Sequence, residues 1–218
     1  HSIPFAAIEI RFKGGGSLDR EGKRGAVNLM TGLIEEGAGE MNAQDFAAAR
    51  DGLAASFRFD SHRDALTVSA RFLTENRDQA MALLREALIN PRFDEDAVER
   101  VRGQVLSAIR GDENDPNGIA SRTFNLLAYG DHPYATPIDG TIESVAGLSR
   151  DDIVNSHKDA LARDRIYVGA AGDITAEELA SLLDELLSEL PENGAPLPGE
   201  ATLKFDGGVT VVPFETPQ

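Results

Sequence analysis

A hydrolytic site usually needs at least one histidine, and this chain offers four: His1, His62, His132 and His157. No two stand at i, i+3 or i, i+4, so no helix presets a pair of imidazoles for a metal ion. His62 falls in a hairpin turn, His132 in a loop before Pro133, and His157 on what reads as a polar helix face. Each is expected to be solvated or locally bonded. The serines form no G-x-S-x-G elbow. "KGGGS" lacks the G-K-[ST] ending of a phosphate loop. "DENDPNG" is rich in oxygen donors, but Pro116 interrupts any calcium loop, and Asp115 reads as a helix cap. The chain has no cysteine, which excludes disulfides, thiolate zinc sites and a cysteine nucleophile. What remains is "GKRGAVNLMTGLIEEGAG", residues 22–39, which sets Asn28, Thr31 and Gly32 on one face of an otherwise apolar helix.

The elements that must position these residues follow from periodicity. "IPFAAIEIRFKGGGS" is a strand running into a glycine turn. A helix is expected from about Lys23 to Glu36, with Ala26, Met30 and Leu33 at helical spacing, ended by Gly37 and Gly39. "NAQDFAAARDG" is a second helix, capped by Asn42 and stopped at Gly52. "LAASFRFDSHRDALTVSARF" is a hairpin: Phe57 and Phe59 share one face of its first strand, and Leu66, Val68, Ala70 and Phe72 one face of its second. Helices follow from Asn76 to Ile89, from Asp94 to Ile109, from near Pro116, and after Ser149. "RIYVGAAGD" reads as a buried strand. "TAEELASLLDELLSEL" is an amphipathic helix with a Thr175/Glu178 capping box. "PENGAPLPGE" is a Pro/Gly loop and a plausible boundary, and "GGVTVVPFETPQ" reads as a final strand. Strands and helices are not regularly interleaved. The expected class is therefore α+β, a mostly antiparallel sheet packed by helices on one side.

With 41% hydrophobic and 27% charged residues the composition is that of a globular domain. Against 37 Asp+Glu stand 21 Lys+Arg, a net charge of −16 that repels nucleic acid and anionic membranes. Neither is expected as a partner. No apolar run is long enough to span a bilayer. The N-terminus begins almost directly in a strand and reads as cut, so an upstream export signal is compatible with the sequence.

The order of the pieces resembles one domain of the pitrilysin/insulinase (M16) metallopeptidase family. The pieces are "GGGSLDREGKRG", "LIEEGAG", "NPRFDEDAVERVRGQVLSAI", "NDPNGIA", "GDHPYATPIDGTIESVAGLSRDDI" and "VGAAGDITAEEL…LLSELP". The resemblance covers nearly the whole chain and implies the metallohydrolase fold of LuxS and the mitochondrial processing peptidase. It assigns residues 1–195 to an N-terminal M16 domain. Residues 196–218 become its final strand and the start of a linker toward a second such domain. Active members carry H-x-x-E-H on the helix after "GK.G". There two histidines ligate zinc and the glutamate activates water. On that pattern Asn28 stands at the first histidine, Thr31 at the glutamate and Gly32 at the second histidine. Ala108 stands at the downstream ligand and Val101 at a supporting glutamate. None can take over the zinc chemistry, so no catalytic residue and no metal ligand is expected in this domain.

The resemblance further implies pairing. The family joins homologous halves, one carrying zinc and one without it. The expected role is a non-catalytic bacterial subunit that completes a peptide-degrading or processing chamber with a partner bearing an intact H-x-x-E-H motif and the zinc. Strand residues Ser56, Phe57, Arg58, Phe59 and Asp60 correspond to the edge strand that holds peptide substrates. The alternative is a structural or binding protein of the same fold with no part in proteolysis. A periplasmic location follows by resemblance, with the cytoplasm as the alternative.

Overall fold

A computed structural model describes residues 4–204 and 207–214. Four antiparallel strands form the sheet, in the order β4-β5-β1-β6. They are β1 (Phe5–Lys13), β4 (Ser56–Ser61), β5 (Ala65–Leu73) and β6 (Ile166–Gly172). A two-residue ribbon, β2 (Gly37–Ala38) with β3 (Met41–Asn42), lies apart. Alternation explains which face is covered. Ala6, Ile8, Ile10 and Phe12 of β1 are buried, whereas Glu9 and Arg11 are exposed. Leu66, Val68, Ala70 and Phe72 continue the buried face on β5.

The helices are α1 (Ala26–Thr31), α2 (Ala43–Gly52), α3 (Arg77–Ile89), α4 (Glu95–Glu113), α5 (Pro116–Tyr129), α6 (Ile142–Ala146), α7 (Arg150–Ala160) and α8 (Ala176–Leu187). Those in the core pack on the apolar face of the sheet, with Phe12, Phe46, Phe72, Leu29 and Leu84 fully buried among them. Caps set their starts. Asn42 accepts from the N–H groups of Gln44 and Asp45, and Asp115 from that of Asn117. Ser149/Asp152 and Thr175/Glu178 form reciprocal capping boxes. Among the described residues no helix covers the outer face of the sheet.

Three expectations are corrected. The strand at 166–172 exists, but it is a sheet edge: Tyr167 is 65% exposed and Val168 37%. Its Gly-Ala-Ala-Gly run offers little side chain to bury, and only β1 flanks it. The final strand is absent among the described residues 207–214, where Val209 is 92% exposed. A β-propensity run becomes a strand only when a neighbour supplies hydrogen bonds, and none does here. The remainder of that expectation, at 205–206 and 215–218, lies outside the described residues, as does His1. Finally, the first helix is one and a half turns rather than four, because the chain tightens into turns after Gly32.

The glycine turn after β1 has a structural task. Gly14, Gly16 and Ser17 donate backbone N–H groups to the carbonyls of Asp64, His62 and Arg63 at 2.8, 2.9 and 2.8 Å. They clamp the tip of the β4–β5 hairpin. Gly15 has φ +62° and lies so close that a Cβ would sit 2.2 Å from the His62 carbonyl oxygen. Gly15→Ala is therefore expected to cost about 2–4 kcal/mol, from left-handed strain plus displacement of the hairpin. Chemical denaturation measures it, and a loss below about 1 kcal/mol would show that the clamp gives way freely.

Candidate functional site

The loop–helix segment 19–32 builds the site. The Asp19 side chain is buried and accepts from the backbone N–H of Gly25 (2.7 Å, Oδ2) and of Val27 (2.8 Å, Oδ1). It caps α1 from six residues upstream of the N-cap position, where Gly25 makes no side-chain cap. Burial pushes the Asp19 carboxyl up to about 6, partly offset by the bonds from Val27 and Gly25. Lys23 reaches across to Asp152 at 2.7 Å, tying the same loop to α7. Gly25, at φ +89°, packs backbone to backbone on the 139–140 turn: a Cβ there would lie 2.5 Å from the Asp139 carbonyl oxygen.

Asn28 lies on the exposed side of α1 with both ends of its amide committed. Its Nδ2 donates to Asp139 Oδ1 at 3.0 Å, and its Oδ1 accepts from the Ser61 hydroxyl at 2.7 Å. Helix, 139–140 turn and hairpin are thus joined through one side chain. Thr31 is buried and its hydroxyl donates to the Val27 carbonyl of its own helix at 2.7 Å. Gly32 is exposed; a Cβ there would touch Val101 Cγ1 of α4 at 3.3 Å. Val101 is buried apolar packing. Ala108, two turns further along α4, is exposed, and one more turn brings Asp112, whose charge acts on Asp139.

Gly32 of α1 meets Val101 of α4, Asn28 meets the 139–140 turn, and the five positions do not fit a zinc ion. Asn28 is already satisfied at both ends, Thr31 faces its own backbone, and Gly32, Ala108 and Val101 carry no donor. Among the described residues no group of three or more His, Asp or Glu side chains could hold a metal. Glu35 and Glu36, one turn beyond, point away and pair with Arg50 at 2.7 Å and Arg100 at 2.6 Å.

Sequence reasoning missed Asp139. It lies half-buried beside Asn28, and its carboxyl is raised by burial and by Asp112. The bond from Asn28 stabilises that arrangement. Asn28→Asp would replace the donated hydrogen bond with a second carboxylate, an expected loss of about 1–3 kcal/mol at neutral pH that shrinks in mildly acidic buffer. Unfolding curves at the two pH values check it; an equal loss at both would refute the charge argument. The polar helix face expected for His157 is the other correction: it is 8% exposed and bonded, with Nε2 at 2.8 Å from the Leu88 carbonyl oxygen and Phe93 edge-on at 5.9 Å. A histidine on a helix with polar neighbours gives no sequence signal of such burial.

Strand β4 lies beside this site at the edge of the sheet and, among the described residues, pairs only with β5. His62 N–H donates to the Ala65 carbonyl, and antiparallel alternation then turns the N–H and C=O of Asp60, Arg58 and Ser56 toward β5. The backbone groups of Phe57, Phe59 and Ser61 face the open edge. Ser61 is the residue that bonds Asn28, so the open edge begins at α1.

This architecture is a one-sided α+β layer with a short capped helix beside a free strand edge. It superposes on a crystal structure of a peptidase M16 inactive domain from Pseudomonas fluorescens with a TM-score of 0.85, at 24% identity over 91% of this chain and 50% of that one. A protease from Helicobacter pylori superposes with a TM-score of 0.80 at 19% identity, covering 91% of this chain and 49% of that one. The family profile "Insulinase (Peptidase family M16)" matches residues 1–141, and "Peptidase M16 inactive domain" matches residues 147–217. The chain belongs to peptidase family M16. Among its relatives are the non-peptidase homolog YmxG of Helicobacter pylori, 29% identical over 89% of this chain and 45% of its own length, and a zinc protease of Mycobacterium leprae, 28% identical over 84% and 42%. The chain spans about half the length of the curated relatives it matches.

Proposed function

We infer that this chain is the metal-free half of an M16 peptidase pair. It closes a peptide-degrading or processing chamber with a zinc-bearing subunit whose corresponding helix has an intact H-x-x-E-H motif, and it is inactive alone. The observation that carries this reading is the contrast at α1. Every ligand position is occupied by a side chain that is satisfied, apolar or missing, while the adjacent β4 edge still presents unpaired backbone groups. An extended peptide can add to such an edge through backbone hydrogen bonds that tolerate many sequences. Phe57, Phe59 and Ser61 would supply those bonds. Ser56, Arg58 and Asp60 would direct their side chains to the open face. The chamber would work in the periplasm.

The test is co-expression with a zinc-bearing M16 partner. Expected are a stable complex, zinc in the partner only, and peptide cleavage in the mixture but not by this chain alone. Stoichiometric zinc bound by this chain alone would overturn the inactive assignment. Complex formation without any dependence of cleavage on this chain would favour a purely structural role.

A further inference from the structure

The open face of the sheet carries a pattern at odds with the rest of this acidic molecule. Register places its outward side chains on a grid. Asp60, Thr67, Arg11 and Tyr167 form one row across the strands; Arg58, Ser69 and Glu9 lead the next; Ser56 and Arg71 lead the third. Two adjoining depressions of about 480 and 630 Å³ lie over it and share Glu9, Arg11, Ser69 and Arg71.

Three guanidinium groups thus stand on one face of a chain with net charge −16. Arg58 is paired with Asp60 at 2.7 Å. Arg11 and Arg71 are exposed and, among the described residues, make no ion pair or side-chain hydrogen bond. Glu9 lies between them and His62 at the margin. A second observation points to a ligand: Thr67, only 7% exposed, lines the first depression, and its Oγ1 is buried with no hydrogen-bond partner. A buried hydroxyl left unpaired costs stability, so native proteins rarely leave one without use.

We propose that this face binds an acidic peptide segment, with Arg11 and Arg71 as its carboxylate anchors and the Thr67 hydroxyl as a hydrogen-bonding floor. Arg11 pairs in register with Thr67, and Arg71 lies four residues further along β5. The two anchors are therefore ~14 Å apart along the strand direction. Carboxylates at i and i+4 of an extended chain project from the same side across that same ~14 Å. Charge complementarity selects the occupant: with Arg58 paired to Asp60, the face sets Arg11 and Arg71 against Glu9, so its surplus charge is positive and an acidic segment is favoured over a basic one. The inference rests on the chamber reading only in calling that segment a substrate; the binding itself needs no partner.

The test is fluorescence anisotropy of labelled extended peptides with this chain alone, which separates it from the reconstitution of cleavage. Peptides carry Glu, Gln or Lys at i and i+4. The Glu peptide is expected to bind about tenfold more tightly than the Gln peptide, with the advantage fading as salt rises. The Arg11→Gln/Arg71→Gln double variant, altered only at exposed sites, should erase that advantage at unchanged melting temperature. Thr67→Val should weaken the Glu peptide about threefold without lowering stability, whereas a merely structural hydroxyl would leave binding untouched. Equal binding of Glu and Gln peptides, or preference for Lys, overturns the proposal. So does a dimer that dissociates in the double variant, because the face would then serve a second copy of the chain.

Discussion

Asp19→Ala is expected to reduce the unfolding free energy by about 3 kcal/mol, one of the largest losses available outside the hydrophobic core. Two buried backbone N–H groups, of Gly25 and Val27, would lose their acceptor at once. Each such bond to a charged group contributes about 1.5–3 kcal/mol, and the orphaned donors cannot recover water where they lie. Helix α1 has little reserve. It spans six residues, and its N-cap glycine contributes no side-chain bond. The carboxylate also opposes the positive end of that helix. Part of the gain is offset because burying the charge is unfavourable, as the raised carboxyl indicates. Asp19→Asn retains one acceptor oxygen and should lose about half as much. Urea denaturation with an unchanged m-value is the measurement. A loss under about 1 kcal/mol for the alanine variant would mean that α1 finds its donors another acceptor.

How much of this was legible beforehand depends on the range of each interaction. The α+β class, the hairpin and most helices were readable because period-2 and period-3.6 patterns and local caps are encoded within a few residues: Asn42, Asp115, Ser149 and Thr175 all cap as their positions suggest. The length of α1 was not, since Gly32 stands inside a continuing apolar pattern, yet it closes the helix and the chain after it runs on in local turns such as Leu33 N–H to Met30 and Glu36 N–H to Leu33. The exposure of β6 and the unpaired state of 207–214 depend on which strands become neighbours, a property of the whole sheet. At the site, the missing H-x-x-E-H motif could be read from residue types alone. The bonds that replaced it could not. Asp139 lies 111 positions from Asn28, and Ser61 lies 33. No local pattern announces a side chain that ties together three segments so distant in sequence. Asp19 is an intermediate case: it stands in "GGGSLDREGKRG", but residue types alone do not place its carboxylate on the start of α1.

The second large effect appears only when two buried groups are separated by mutation, because they oppose each other. His157 is held neutral: burial pulls it from the ordinary 6.5 down to about 4, against the bond to Leu88 that raises it. The unfolded chain therefore binds this proton first as the pH falls, and the fold loses about 3 kcal/mol between roughly pH 6.5 and 4. Asp19 runs the other way. Its folded carboxyl takes up a proton near 6, while the unfolded one waits until about 3.8, so acidification through that window favours the fold by about 3 kcal/mol. The two contributions nearly cancel in the native protein. Asp19→Asn removes one and should expose an acid-labile chain whose stability falls about 3 kcal/mol more than the parent's across the window. His157→Gln keeps a donor for the Leu88 carbonyl, removes the other contribution, and should gain stability relative to the parent as the pH falls. Contributions from Glu35 and Asp139, both raised by burial, are shared by all three proteins and drop out of the differences. Denaturation of the three proteins across this window tests the opposition directly. Parallel pH profiles for parent and His157→Gln would show that the imidazole finds solvent on protonation, and that its burial between Leu88 and Phe93 does not control acid stability.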